Sequence, residues 1–221
     1  MTTFTKPSGD EALALLKAGN ERFVAGTPQR LHQDIFRIRQ AGRENQADHA
    51  YATVLSCSDS RVPVELIFDA GVMDLFVVRV AGNVCGIHEA GTIEYGIAHV
   101  NTPLLVVLGH TQCGAVTAMR NHVQGAPAPP EENIPPLIAP IRPAVERALN
   151  ADPRANPDSL LSLSIEENIW ESIAQLLQAS ATTRDALHSG SLRILPAHYD
   201  VGTGRVQWLP EEKVATLLAL V

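Results

Sequence analysis

Cys57 and Asp59 stand two residues apart, and His110 and Cys113 stand three apart, in a chain of 221 residues. Thiolate, imidazole and carboxylate together form a donor set that tetrahedral zinc accepts. Two thiolates and a neutral histidine leave one position for an oxygen ligand, either Asp59 or water. That choice separates a closed structural site from one with an exchangeable position. Arg61 lies two residues beyond the carboxylate. It can hold Asp59 by paired, charge-assisted hydrogen bonds and so draw it off a metal.

Taken singly, each residue has a plainer role: Cys57 or Cys113 as a small core residue, His110 as a structural histidine, Asp59 as a turn cap, Arg61 as a surface cation. The joint occurrence of Cys-x-Asp-x-Arg and His-x-x-Cys, each after its own apolar run, favours a metal site. Cys85, in Asn83-Val-Cys-Gly86, has no ligand partner at useful spacing and reads as a buried residue. His88, His99, His122 and His198 also lack paired ligand spacing.

The elements that must position these groups are legible in the hydrophobic pattern. Tyr51 to Ser56, Leu75 to Val80 and Leu104 to Leu108 are short apolar runs, each followed at once by a polar loop, as buried strands are. Helical character over His88 to Val100 and Ala115 to Val123 makes the middle of the chain alternate strand and helix. A parallel sheet follows, with ligands expected at the carboxyl ends of its strands. Asp10 predicts a helix from Glu11 to about Phe23, closed by Gly26. Gln124 to Pro136 holds five prolines and predicts a surface connection. Ile138 to Leu149 and Ser159 to Leu177 predict further helices. Leu192 to Tyr199 and Arg205 to Leu209 flank Asp200-Val-Gly-Thr-Gly204 and predict a hairpin at the sheet edge.

Composition narrows the partners. Seventeen Lys and Arg against 24 Asp and Glu give a formal charge of −7, which offers no general attraction to nucleic acid or anionic lipid. No apolar run reaches the roughly 20 residues of a spanning helix, and Pro103 to Gly109 suits a buried strand instead. The first ten residues do not read as a secretory signal, so a soluble, cytoplasmic protein is expected. The odd number of cysteines, three, fits free thiols or metal ligands in a reducing compartment.

Cys57-Ser-Asp-Ser-Arg-Val-Pro63 and Gly109-His-Thr-Gln-Cys-Gly-Ala115 resemble the two signature segments of the β-class carbonic anhydrases. Phe76-Val-Val-Arg-Val-Ala-Gly-Asn83 and Gly91-Thr-Ile-Glu-Tyr95 join them in the same resemblance, which is dense from about Val54 to Ala118. It persists through Ser162 to Ile169 and Tyr199 to Gly204. The resemblance implies an α/β fold: a central, mostly parallel sheet flanked by helices, with an antiparallel edge strand or hairpin at the C-terminus. It implies one domain over residues 1–221, with residues 1–50 a helical arm packing on a partner subunit and residues 51–221 the zinc-binding core. A homodimer or dimer of dimers is the assembly expected.

By the same resemblance, Zn2+ is held by Cys57, Asp59, His110 and Cys113, and zinc-bound hydroxide attacks carbon dioxide to give bicarbonate. Asp59 and Arg61 gate and orient the fourth position, and Phe76, Ala81, Gly82, Tyr95 and Gly114 belong to the substrate pocket. Two positions depart from the family pattern. Asp48, with Gln46 nearby, stands where a bicarbonate-holding glutamine is common, and Val54 stands where some members carry a tryptophan tied to a noncatalytic bicarbonate site. No such bicarbonate switch is expected, although Arg79 keeps the associated arginine position. Hydrolysis of carbonyl sulfide or carbon disulfide, a noncatalytic zinc module, and a cysteine nucleophile enzyme are the rival readings.

Overall fold

The computed structural model describes residues 5–221. Its first helix, α1 (Gly9–Val24), is capped by Ser8 rather than by the expected Asp10. Ser8 Oγ accepts from Glu11 N at 3.3 Å while Glu11 Oε2 accepts from Ser8 N at 2.8 Å, so two free donors at the helix start are satisfied reciprocally. Asp10 instead takes Arg193 Nη1 at 2.6 Å. The helix α2 (Ile35–Ala41), capped by Asp34, follows.

The core then alternates strand and helix, as predicted except that α3 was not foreseen: β1 (Ala52–Ser56), α3 (Val64–Ile67), β2 (Leu75–Arg79), α4 (Ile87–Ala98), β3 (Leu104–His110) and α5 (Gly114–Val123). A proline-bearing connection leads to α6 (Ile134–Ile138), α7 (Arg142–Ala151), α8 (Pro157–Ala179) and α9 (Ala181–His188), and the chain ends in β4 (Arg193–Tyr199), β5 (Val206–Trp208) and α10 (Glu212–Leu218). The helix expected to run from Ile138 to Leu149 begins at Arg142, after a 3-10 turn over Ala139–Ile141. Pro140 has no N–H for a continuous helix, whereas Pro143 sits in the first turn of α7, where none is required.

The strand order is β2-β1-β3-β4-β5, parallel throughout except for the β4–β5 pair. Ser56 pairs with both Arg79 and Leu108, so β1 and β2 end level while β3 runs on to His110 at the same edge. The polar loops after them therefore emerge at one edge.

Alternation sends side chains to two cores. Leu55, Val78, Leu105 and Val107 pack with Ile93, Ile169 and Ile173 on one face. Val54, Leu104, Val106 and Leu108 pack with Ala12, Leu16 and Ile67 on the other. Each fully buried Leu or Ile contributes about 1.5–3 kcal/mol relative to exposure. Gly96 admits α4 to the sheet, since a Cβ there would stand 2.5 Å from Thr53 Oγ1. No helix among the described residues is long and apolar enough to cross a membrane.

Candidate metal centre

Cys57 leaves the end of β1, His110 ends β3, and Cys113 is the residue just before α5. The adjacent carboxyl ends of β1 and β3 bring them together: the two Sγ atoms and a His110 ring nitrogen all lie within 4.8 Å of one another, and all three residues are buried. His110 Nδ1 lies 2.9 Å from Thr111 O, the geometry of a ring N–H donating to that carbonyl. That leaves Nε2 buried without a hydrogen-bond partner. A buried, unpartnered imidazole nitrogen facing two thiols is an environment that a soft divalent cation satisfies.

Of the two thiols, Cys113 donates to Cys57. Donation from Cys113 is the main cause that holds Cys57 well below the ordinary thiol range, against the opposing effect of burial. His110 and the N–H groups of Gly82 and Asp59 add to it. Cys113, which keeps the proton, is pushed up correspondingly.

Asp59 is placed differently from the other three expected ligands. Its carboxylate is turned onto Arg61, with Nε donating to Oδ1 at 2.9 Å and Nη2 to Oδ2 at 2.7 Å. The Arg61 backbone N–H adds a third bond to Oδ1 at 2.9 Å. The Arg61 fork is the main reason that the carboxyl lies far below the usual carboxylate range. Oδ2 nonetheless remains 4.0 Å from His110 Nε2, beside the cluster.

Two further contacts hold the loops that carry these groups. Arg79 Nε donates to Cys57 O at 3.1 Å and Nη2 to Asp59 O at 2.8 Å. Gly82 N donates to Cys57 Sγ at 3.3 Å from a backbone with φ 78.

The carbonic anhydrase family profile matches residues 52–206, a span that contains every residue of this cluster. "Carbonic anhydrase 2" of Mycobacterium tuberculosis strain H37Rv is 36% identical over 192 residues, covering 86% of this chain and 87% of the relative. The chain belongs to the β-class carbonic anhydrases. A crystal structure of a β-carbonic anhydrase from Aspergillus fumigatus shares the fold at a TM-score of 0.72 and 24% identity, covering 94% of this chain and 97% of that one. One of two tetrameric β-carbonic anhydrases from Sordaria macrospora does so at 0.69 and 22%, covering 87% and 93%.

The pocket residues that the β-class resemblance implied fall into two groups. Ala81 is half-buried, Gly82 is buried, and Gly114 is exposed with open space where a side chain would stand. Phe76 and Tyr95 form a ring pair on β2 and α4, with centroids 6.1 Å apart and planes 25° from parallel. Tyr95 is half exposed and also meets His99 at 4.8 Å. Val54 is fully buried in the core, and Gln46 and Asp48 lie in a short 3-10 turn before β1. Cys85 is buried outside the cluster, and burial pushes its thiol up to about 12.

Sequence reasoning did not single out Asn168 or Ser172. Asn168 Nδ2 donates to Gly82 O and Ser172 Oγ to Asn83 O, each at 2.8 Å, so α8 fixes the loop that meets Cys57. Their signal was available: with Ser164, both are polar residues on the otherwise apolar inner face of a long helix. Gln112, which accepts from Arg61, was also passed over.

Proposed function

We propose that this chain catalyses the reversible hydration of carbon dioxide to bicarbonate and a proton, on a zinc ion held by Cys57, His110 and Cys113. The observation that carries this reading is the convergence of those three donors while Asp59 is held aside by Arg61. Three protein donors with the carboxylate withdrawn leave a tetrahedral metal one exchangeable position.

Zinc held by these three donors would supply the Lewis acidity that makes water a nucleophile near neutral pH. The remaining work belongs to the chain. The Arg61 fork keeps Asp59 ionised and in a fixed orientation. From beside His110, Asp59 can accept a hydrogen bond from the attacking water and aim its lone pair at the substrate carbon. The N–H of Gly82 and the bonds from Arg79 hold Cys57 as the thiolate in place. Ala81, Gly82 and Gly114, small residues around the cluster, leave room for carbon dioxide, with Phe76 and Tyr95 supplying apolar walls.

Residues 1–221 act as one domain in this reading, and the protein is cytoplasmic. The arm before β1 supports an assembly of copies. While α1 buries Ala12 and Leu16 in its own core, α2 and the turn before it leave Leu31, Ile35, Phe36 and Ile38 more than half exposed, Phe36 at 75%. A second copy of the chain is the partner that would cover them, as a dimer or a dimer of dimers. The two Sordaria macrospora relatives are tetramers.

Zinc analysis paired with a stopped-flow hydration assay tests the function. Stoichiometric zinc and a hydration rate well above buffer are expected. Folded protein that binds no zinc, or zinc-loaded protein that leaves the buffer rate unchanged, would reject the assignment.

A further inference from the structure

Arg61 donates four side-chain hydrogen bonds, and only two of them reach Asp59. Nη1 donates to Gln112 Oε1 at 3.2 Å, and Nη2 donates a second time, to Gln112 O at 3.1 Å. Gln112 lies between His110 and Cys113, and 51 positions from Arg61. The guanidinium is therefore a bridge: one edge holds the carboxylate of the first ligand loop, and the other is anchored to the second ligand loop.

Three features show why the anchor matters. The Arg61 side chain is 45% exposed, so packing alone does not fix its long stem. Asp59 is only 17% exposed and stands beside the three metal donors, so whatever lets Arg61 drift lets the carboxylate turn toward them. Gln112 also has a φ of 57, a left-handed conformation that non-glycine residues rarely adopt. That backbone accompanies a carbonyl directed at Arg61 and a side chain whose oxygen meets the same guanidinium.

We propose that Gln112 is a positioning residue of the gate, one that holds Arg61 so that Asp59 stays off the fourth metal position. This rests on the Asp59–Arg61 gating reading given above, and it adds that the gate is set from the loop bearing His110 and Cys113. Loss of the Gln112 amide loosens the fork, and Asp59 then competes with any incoming ligand for the metal.

The experiment uses cobalt(II)-substituted holoenzyme titrated with azide, followed by visible absorption, in the native sequence and in Gln112→Met, Arg61→Ala and Asp59→Ala backgrounds. Gln112→Met keeps the length and removes the side-chain acceptor while the backbone carbonyl stays, and Gln112→Ala serves as a second variant should the thioether disturb cobalt loading. Azide affinity is expected to weaken about tenfold in the Gln112 variant, the size of effect that a hydrogen bond to a charged group commands. It is expected not to change when the same substitution is made on Asp59→Ala, where no carboxylate remains to compete. An unchanged affinity in Gln112→Met beside a weakened one in Arg61→Ala would overturn the role of Gln112 and leave the gate standing. If Arg61→Ala also bound azide normally, the gating reading itself would fail. An equal weakening with and without Asp59 would assign Gln112 a merely structural part and overturn the proposal.

Discussion

Asn168 and Gly82 are joined by a 2.8 Å hydrogen bond across 86 positions of sequence, from the middle of α8 to the carbonyl of the residue whose N–H meets Cys57 Sγ. The bond is buried, and no other side chain of α8 reaches that carbonyl among the described residues. Asn168→Ala leaves the Gly82 carbonyl unpaired in the interior, at a cost of about 1–3 kcal/mol. A lower urea midpoint with an unchanged slope is the expected result, together with faster zinc loss to a chelator. A midpoint equal to that of the native chain would show that the bond contributes nothing.

Gly82 is constrained by backbone and by space together. Its φ is 78, and a Cβ built there stands 2.8 Å from Ile141 Cδ1 and 3.0 Å from Ala115 Cβ. Gly82→Ala should therefore lose about 1–2 kcal/mol to the left-handed backbone alone, with the clash added. Adding Ile141→Val removes the atom that is nearest. It should recover part of the thermal midpoint and leave the backbone part unrecovered. Full recovery would show that only crowding matters at this position.

Asp69 pins the arm. Arg22 Nε donates to its Oδ2 at 2.6 Å, with Gln29 N and Arg30 N at 2.9 and 3.0 Å. Burial alone would raise this carboxyl, yet those three donors outweigh it and hold it below the ordinary value. A depressed carboxyl stabilises the fold fully above its unfolded value, roughly 3.9, and loses that stabilisation as pH falls through the lower folded value. The arm should accordingly resist limited proteolysis between residues 25 and 45 at neutral pH and open under acid conditions, not alkaline ones. Asp69→Asn should open it at pH 7, costing about 1.5–3 kcal/mol. Digestion that stays the same from pH 7 down to about pH 3, below the unfolded value, would contradict this.

The strands and both donor-bearing motifs were legible because each run is a continuous apolar stretch closed by a polar loop, although β2, expected to be buried, is an edge strand in which only Val78 is buried. Leu104–His110 is buried at every residue and is plain in the sequence. The capping of α1 was misplaced by two residues because Asp10 and Ser8 are both good caps, and only the reciprocal contact with Glu11 decides between them. The helices α3, α6, α9 and α10 were missed: all are short, α6 begins inside the proline-rich stretch read as a surface connection, and Ser180 caps α9 only after the longer α8 has ended. Of the site, donor types and spacing were readable, whereas the hold on them was not. Asn168, Ser172 and Gln112 act across tens of residues, and sequence spacing carries no record of which loops the sheet will bring together.

Metal removal should be visible in thiol chemistry. The chain has three free cysteines, all buried, but only Cys57 and Cys113 share the cluster with His110. With zinc bound, none should react quickly with an aromatic disulfide reagent. After zinc is stripped by a chelator, two should become reactive: Cys57 first, whose thiolate is favoured by donation from Cys113, and Cys113 only once Cys57 is capped, because that same thiolate is the main cause that holds its proton. Cys85, pushed up to about 12 by burial, should stay silent until the protein unfolds. A count of three without unfolding, or no change on stripping zinc, would contradict the assignment of ligands.

Arg61→Lys separates charge from geometry. Lysine keeps the positive charge, but its single ammonium cannot pair side-on with both oxygens of Asp59 while also reaching Gln112. Turnover should fall about 10–100-fold, as it does when groups that orient metal ligands are lost. Zinc content should remain stoichiometric, since none of the three converging donors is altered. The thermal midpoint should hardly move, because ion pairs of partly exposed side chains contribute only about 0–1 kcal/mol. Asp59 owes its depressed value chiefly to the arginine fork, so the substitution lets it rise toward the ordinary carboxylate range near 3.9. That is still far below neutrality, and the carboxylate stays charged. Between about pH 6.5 and 9 the rate should therefore fall most at the lower end, where hydroxide is scarcest and competes least well with a carboxylate that has lost its position and kept its charge. A rate equal to that of the native chain would show that charge alone suffices at this site.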